Sequence, residues 1–217
     1  PMARKGRAAE PPRRLAPWRI AYTAFFLSGV AGLMHQIVWS SLLVQLIGAT
    51  AYAQSAVLAV FMAGLATGSI FFGRRVDRRG RALRTYVVLE VLIGAYCLLL
   101  PLLLRGVAVG YVALAGSALE ADAPKLALRL GLAVLIVLLP AIWMGGTLPL
   151  IARYLIERLD QTQQRVGNLY ALNSFGAVVG AGLAGFLVLP ALGIPASLAL
   201  ASSLNLTAAA LGALLGR

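Results

Sequence analysis

The sequence predicts an all-α integral membrane protein with six transmembrane helices, and three observations carry that expectation. Of the 217 residues, 60% are hydrophobic and only 12% charged, and the mean hydropathy of +0.87 exceeds what a soluble domain needs to fill one core. Crossing the hydrocarbon as a helix takes ~20 mostly apolar residues, and such stretches lie at 18–47, 51–72, 83–104, 126–155, 169–189 and 195–215. The basic residues collect at alternate ends of these stretches, as they do in loops kept on the cytoplasmic side. Two regions follow: residues 1–17, a basic cytoplasmic tail expected to be disordered because it is rich in Arg, Pro and Ala with no apolar periodicity, and the transmembrane domain, 18–217.

The first stretch follows Arg4, Lys5, Arg7, Arg13 and Arg14 and has Arg19 at its start, so its beginning belongs inside. It is too long for a cleavable signal peptide and lacks a small-residue cleavage site. His35, Gln36, Trp39 and Ser40 fall within little more than one turn, so some of them share a face. His35 has two readings, a proton relay, since imidazole titrates near neutrality, or an interhelical hydrogen bond. Gln36 suits a polar ligand and Trp39 a cation against its ring, the alternative being an interhelical hydrogen bond and an interfacial aromatic; an amide left unpaired in lipid is costly, which favours a cavity wall for Gln36.

The second stretch carries Gly64 and Gly68, whose spacing lets helix backbones approach closely. It ends in a turn with six arginines between Arg74 and Arg84 against Asp77 alone, which places that turn in the cytoplasm. The third stretch holds Glu90, a carboxylate whose burial in the membrane costs roughly 2.5–3.5 kcal/mol. It reads either as a cation or proton site facing a cavity or as an ion-pair partner of an arginine in the turn. Cys97, the single cysteine, reads as a small apolar filler. Residues 105–129 carry both charge signs around the mildly apolar run 107–119, too short to span, and are expected to form an amphipathic or re-entrant piece on the outer face.

The fourth stretch contains Pro140 and Pro149, which free backbone carbonyls, and is followed by Arg153, Arg158 and Arg165 on the inner side. The fifth contains Tyr170 and Asn173, the latter read as glue between helices or as a ligand contact, and the pair Gly176 and Gly180. Gly180-Ala181-Gly182-Leu183-Ala184-Gly185 also matches a dinucleotide-binding fingerprint, but that fingerprint works only where a strand turns into a helix; these are expected to be packing glycines. The sixth has Gly212 and Gly216 and ends at Arg217, so both termini are expected inside a bacterial-type plasma membrane. Tyr86, Tyr154 and Trp18 stand near helix ends, where aromatic side chains anchor the interface.

A net charge of +12 would point to nucleic acid in a soluble protein, but membrane topology accounts for it and no nucleic-acid partner is expected. One His and one Cys on different helices make no metal site. No catalytic residues and no cofactor are read from the chain.

Gly73, Asp77, Arg78, Gly80 and Arg81 fall on the pattern Gly-x-x-x-Asp-Arg-x-Gly-Arg of the loop between helices 2 and 3 of major facilitator transporters. The chain as a whole, over 25–206, resembles the membrane portion of the fused major-facilitator/spermidine-synthase-like family. The resemblance rests on Gly29-Val30-Ala31-Gly32-Leu33-Met34-His35-Gln36-Ile37-Val38-Trp39, Phe61-Met62-Ala63-Gly64-Leu65-Ala66-Thr67-Gly68-Ser69, Leu89-Glu90-Val91-Leu92-Ile93-Gly94, Trp143-Met144-Gly145-Gly146-Thr147-Leu148-Pro149-Leu150 and Gly167-Asn168-Leu169-Tyr170-Ala171-Leu172-Asn173-Ser174-Phe175-Gly176.

The resemblance implies one six-helix half of a major facilitator fold, made of two inverted three-helix repeats, with Glu90, Gln36, Trp39, Asn173, Tyr170 and His35 as candidate substrate contacts. A polyamine is the implied substrate, and a two-fold homodimer would supply twelve helices. The family tends to place an arginine shortly after the helix 1 Trp, where this chain has Ser40 and Ser41. Its members usually continue into a cytoplasmic aminopropyltransferase-like domain, whose residues this sequence does not contain. Two functions stay open: a transporter-like domain that binds or moves a small polar substrate, and a non-transporting anchor for an aminopropyltransferase-like enzyme.

Overall fold

Long apolar runs without water partners must satisfy their backbone internally, which leaves helices as the local solution. The computed structural model describes residues 17–47, 51–76, 81–118, 122–159 and 163–216, and among them no strand occurs. The elements are α1 (Pro17–Ile47), α2 (Ala51–Val76), α3 (Ala82–Ala118), α4 (Asp122–Leu159), α5 (Gln163–Leu183), a π-helical segment (Ala184–Val188) and α6 (Leu189–Leu215). Among the described residues five stretches are long and apolar enough to cross a membrane: Pro17–Val44, Gln54–Arg75, Ala82–Gly106, Val134–Ile156 and Val166–Leu215. The chain is accordingly a multi-pass, lipid-contacting membrane protein. The expected tail, apart from Pro17, and Asp77, Arg78 and Gly80 of the turn lie outside the described residues.

The fifth stretch is 50 residues long because helical backbone continues from α5 through the π-helical segment into α6. It is interrupted at Gly193, with φ 73° and ψ −179°, a conformation open essentially to glycine alone. Pro195 follows at once. The turn expected between the last two apolar stretches is thus present as a backbone break.

The re-entrant reading of 105–129 is corrected. α3 runs unbroken to Ala118 and α4 starts at Asp122, so 107–118 is neither re-entrant nor separate. Hydrocarbon thickness limits the apolar window of a helix and not its length. Nothing between Pro101 and Pro124 opposes helix except glycines at 106, 110 and 116, which it tolerates.

Five pairings hold the bundle: α1 lies along α5 and α6, α2 along α4, and α3 between α4 and α6. The close approaches are made by glycine. A Cβ added at Gly68 would overlap the Ile142 carbonyl, and one at Gly145 the Leu65 carbonyl; at Gly176 and Gly180 it would meet the Phe26 and Val30 carbonyls. The spaced glycines therefore act as expected for lipid-embedded helices, whose association relies on close packing. Gly182 and Gly185 meet nothing, so of the fingerprint-like run only Gly180 is a packing glycine.

Apolar side chains fill both ends of the bundle. Near the arginine turn Phe25, Leu89, Leu150, Ile151, Leu155 and Leu169 pack together; toward Gly193, Val38, Phe61, Ile93, Leu100, Val137 and Leu198 do the same. Pro140 lies inside α4 and has no N–H for the Ile136 carbonyl. The Tyr96 hydroxyl donates to that carbonyl instead, at 3.1 Å, so the freed acceptor ties α3 to α4.

Candidate functional site

Polar side chains of three helices meet between these apolar ends. Glu90 on α3 and His35 on α1 are fully buried, and Asn205 on α6 is 1% exposed. The Asn205 Nδ2 donates to Glu90 Oε2 at 2.7 Å, and Asn205 Oδ1 lies 3.0 Å from His35 Nε2. An amide carries a donor and an acceptor on one rigid plane, so Asn205 links carboxyl and imidazole, with His35 Nε2 as the donor. Ser28 and Tyr86 face the same carboxyl. In hydrogen-bond geometry, however, the Tyr86 hydroxyl and Glu90 Oε1 have no protein partner.

Glu90 thus receives hydrogen bonding from uncharged groups, and among the described residues no arginine pairs with it. The ion-pair reading of Glu90 finds no support in that geometry. His35 Nδ1, Trp39 Nε1 and Ser202 Oγ are also buried without a protein partner, so the cluster holds more hydrogen-bonding capacity than its own side chains use. Buried polar atoms are normally satisfied, so the open capacity of Glu90 Oε1 and the Tyr86 hydroxyl beside it leaves room for a further hydrogen-bonding partner.

Trp39 stacks on His35, with ring centroids 5.8 Å apart and planes 17° apart, and meets Phe61 edge-on at 6.3 Å. It forms one wall of the cluster. Gln36 points elsewhere: its amide donates to Ser40 Oγ at 3.4 Å within α1. Asn173 Nδ2 donates to the Phe25 carbonyl at 2.8 Å beside Gly29, which makes it a link between α5 and α1. Tyr170 is 59% exposed and stands apart. Of the motif in the arginine turn, Gly73 and Arg81 are described, in the last turn of α2 and just before α3.

Three residues around the carboxyl, Ser28, Tyr86 and Asn205, were not anticipated there. Tyr86, expected at the interface, is fully buried, because Gly212 on α6 lets its ring lie against that backbone. Asn205 sits in the apolar sixth stretch. The argument applied to Gln36, that an amide in lipid needs a partner, applies to it equally and would have found it.

Among the described residues no group of three or more His, Cys, Asp or Glu is placed to hold a metal ion. Comparisons with protein families, with curated proteins and with solved structures give no match to this chain.

Proposed function

We propose that the chain is a transporter-like membrane domain of six crossings in two inverted three-helix repeats, which takes a small polar cation such as a polyamine at the Glu90–Asn205–His35 cluster between them. The observation that carries this reading is the pairing pattern. Exchanging α1, α2 and α3 for α4, α5 and α6 converts α1·α5 into α2·α4 and α1·α6 into α3·α4, and leaves α3·α6 as it is; these are the principal pairings.

The close approaches obey the same exchange. Gly64 and Gly68 of α2 pack on α4 as Gly176 and Gly180 of α5 pack on α1, while Gly145 of α4 and Gly29 of α1 return the contact. The interval from Gly64 to Gly176 equals that from Gly68 to Gly180, and Glu90 and Asn205, 115 residues apart, come close to it. Their hydrogen bond therefore joins near-equivalent points of the two repeats. Substrate and ion sites of transporters lie at such repeat interfaces, and a buried intramembrane carboxylate is a candidate for cation binding.

Six crossings divide the 50-residue stretch at Gly193. At ~1.5 Å per residue it is more than twice the ~30 Å needed. Its halves also run oppositely: α5 contacts α1 in ascending register, Phe26 with Gly176 and Val30 with Gly180, whereas α6 descends along α3, Gly94 near Ser202 and Leu83 near Gly216. In a Cys97→Ala background, a cysteine at the exposed Leu192 should react with an impermeant thiol reagent from outside, and one at Val76 should not. The reverse pattern would exclude this topology.

A complete alternating-access unit would take two copies. A second reading, a non-transporting anchor, is favoured by one observation, the full burial of His35 and Glu90, which suits a cluster that only ties helices together. Uptake of labelled spermidine by proteoliposomes separates the two. Time-dependent, saturable uptake supports transport, and none with any polyamine tested supports the anchor.

A further inference from the structure

At the arginine end, away from the Glu90 cluster, a cleft of about 390 Å³ opens among α2, α3 and α4. Its base is the buried Leu150, and its side is formed by Phe71 and Val88, 48% and 47% exposed. Arg75, Arg81 and Arg84 stand around it, and among the described residues no carboxylate lines it. The Arg75 guanidinium carbon lies 5.3 Å from the Phe71 ring centroid, so this cation is held over the apolar wall.

The placement is that of an amphiphile. The apolar window of α2 ends at Arg75 and that of α3 begins at Ala82, so the arginines stand at the depth of lipid headgroups while Phe71 and Val88 continue into the hydrocarbon. Guanidinium groups match phosphate oxygens with paired donors. A free phosphate shares that chemistry, but it would leave the exposed apolar wall unused.

We propose that this cleft binds the phosphate of an anionic phospholipid, with an acyl chain laid against Phe71 and Val88. The test is lipid retention by the full chain in native mass spectrometry, comparing phosphatidylglycerol with phosphatidylcholine of the same acyl composition. Wild-type protein should retain phosphatidylglycerol roughly tenfold or more over phosphatidylcholine, given the attraction of each basic residue near the surface. Arg75→Ala/Arg81→Ala/Arg84→Ala should lose that preference. Arg4→Ala/Lys5→Ala/Arg7→Ala, which removes the same charge elsewhere, should keep it.

Millimolar inorganic phosphate should not displace the lipid. Equal losses in the two triple variants, equal retention of the two lipids, or displacement by inorganic phosphate would each overturn the proposal. If the cleft triple variant does not fold, Arg84→Gln at an exposed position decides: a several-fold loss of preference supports the site, and no change refutes it.

Discussion

Gly145→Ala and Gly68→Ala are each expected to destabilise the bundle by about 3 kcal/mol or more, the upper range for overpacking, because the added methyl meets backbone that cannot rotate away. The Leu65 carbonyl blocks the first and the Ile142 carbonyl the second, so α2 and α4 must separate along their whole contact. Thermal unfolding in mild detergent measures this. Gly182→Ala and Gly185→Ala, where a Cβ meets nothing, should stay within about 0.5 kcal/mol of wild type. Equal effects at the two classes of site would contradict the packing described.

Asn205→Leu should cost about 3–5 kcal/mol, since it leaves both Glu90 Oε2 and His35 Nε2 buried without the bonds at 2.7 and 3.0 Å and each stranded group costs about 1–3 kcal/mol. Glu90→Gln should cost less, about 1 kcal/mol, because its amide oxygen still accepts from Asn205 Nδ2. The double variant Asn205→Leu/Glu90→Leu should be less destabilised than the sum of its single changes, as coupled partners are. An Asn205→Leu protein as stable as wild type would show that the amide bridges nothing.

The membrane class and the helix-forming stretches were legible because lipid imposes one periodic requirement, a long apolar run, that the composition displays directly. So were the glycine contacts, since residues without side chains at Gly64, Gly68, Gly176 and Gly180 have few other uses in an apolar helix. The extension of α3 to Ala118 was not, because a helix leaving the bilayer carries no apolar signal of its length.

The site was legible in part. Glu90 and His35 stand out as ionisable groups in apolar stretches, but which neighbour meets them depends on helix rotation, and Gln36 differs from His35 by one position and turns to Ser40 instead. Asn173 carried the same signal as Asn205; only the three-dimensional arrangement sends one to the Phe25 backbone and the other to Glu90.

The central claim is that Glu90 holds a cationic substrate in a membrane domain that moves it. Proteoliposomes containing wild-type protein or Glu90→Gln, matched for inserted and folded protein, should be compared for uptake of labelled spermidine. Saturable uptake by wild type, with a drop of roughly tenfold or more in Glu90→Gln because the site loses its charge, is the predicted result. Uptake that Glu90→Gln leaves unchanged, or a wild-type protein that moves no polyamine at all, would contradict it.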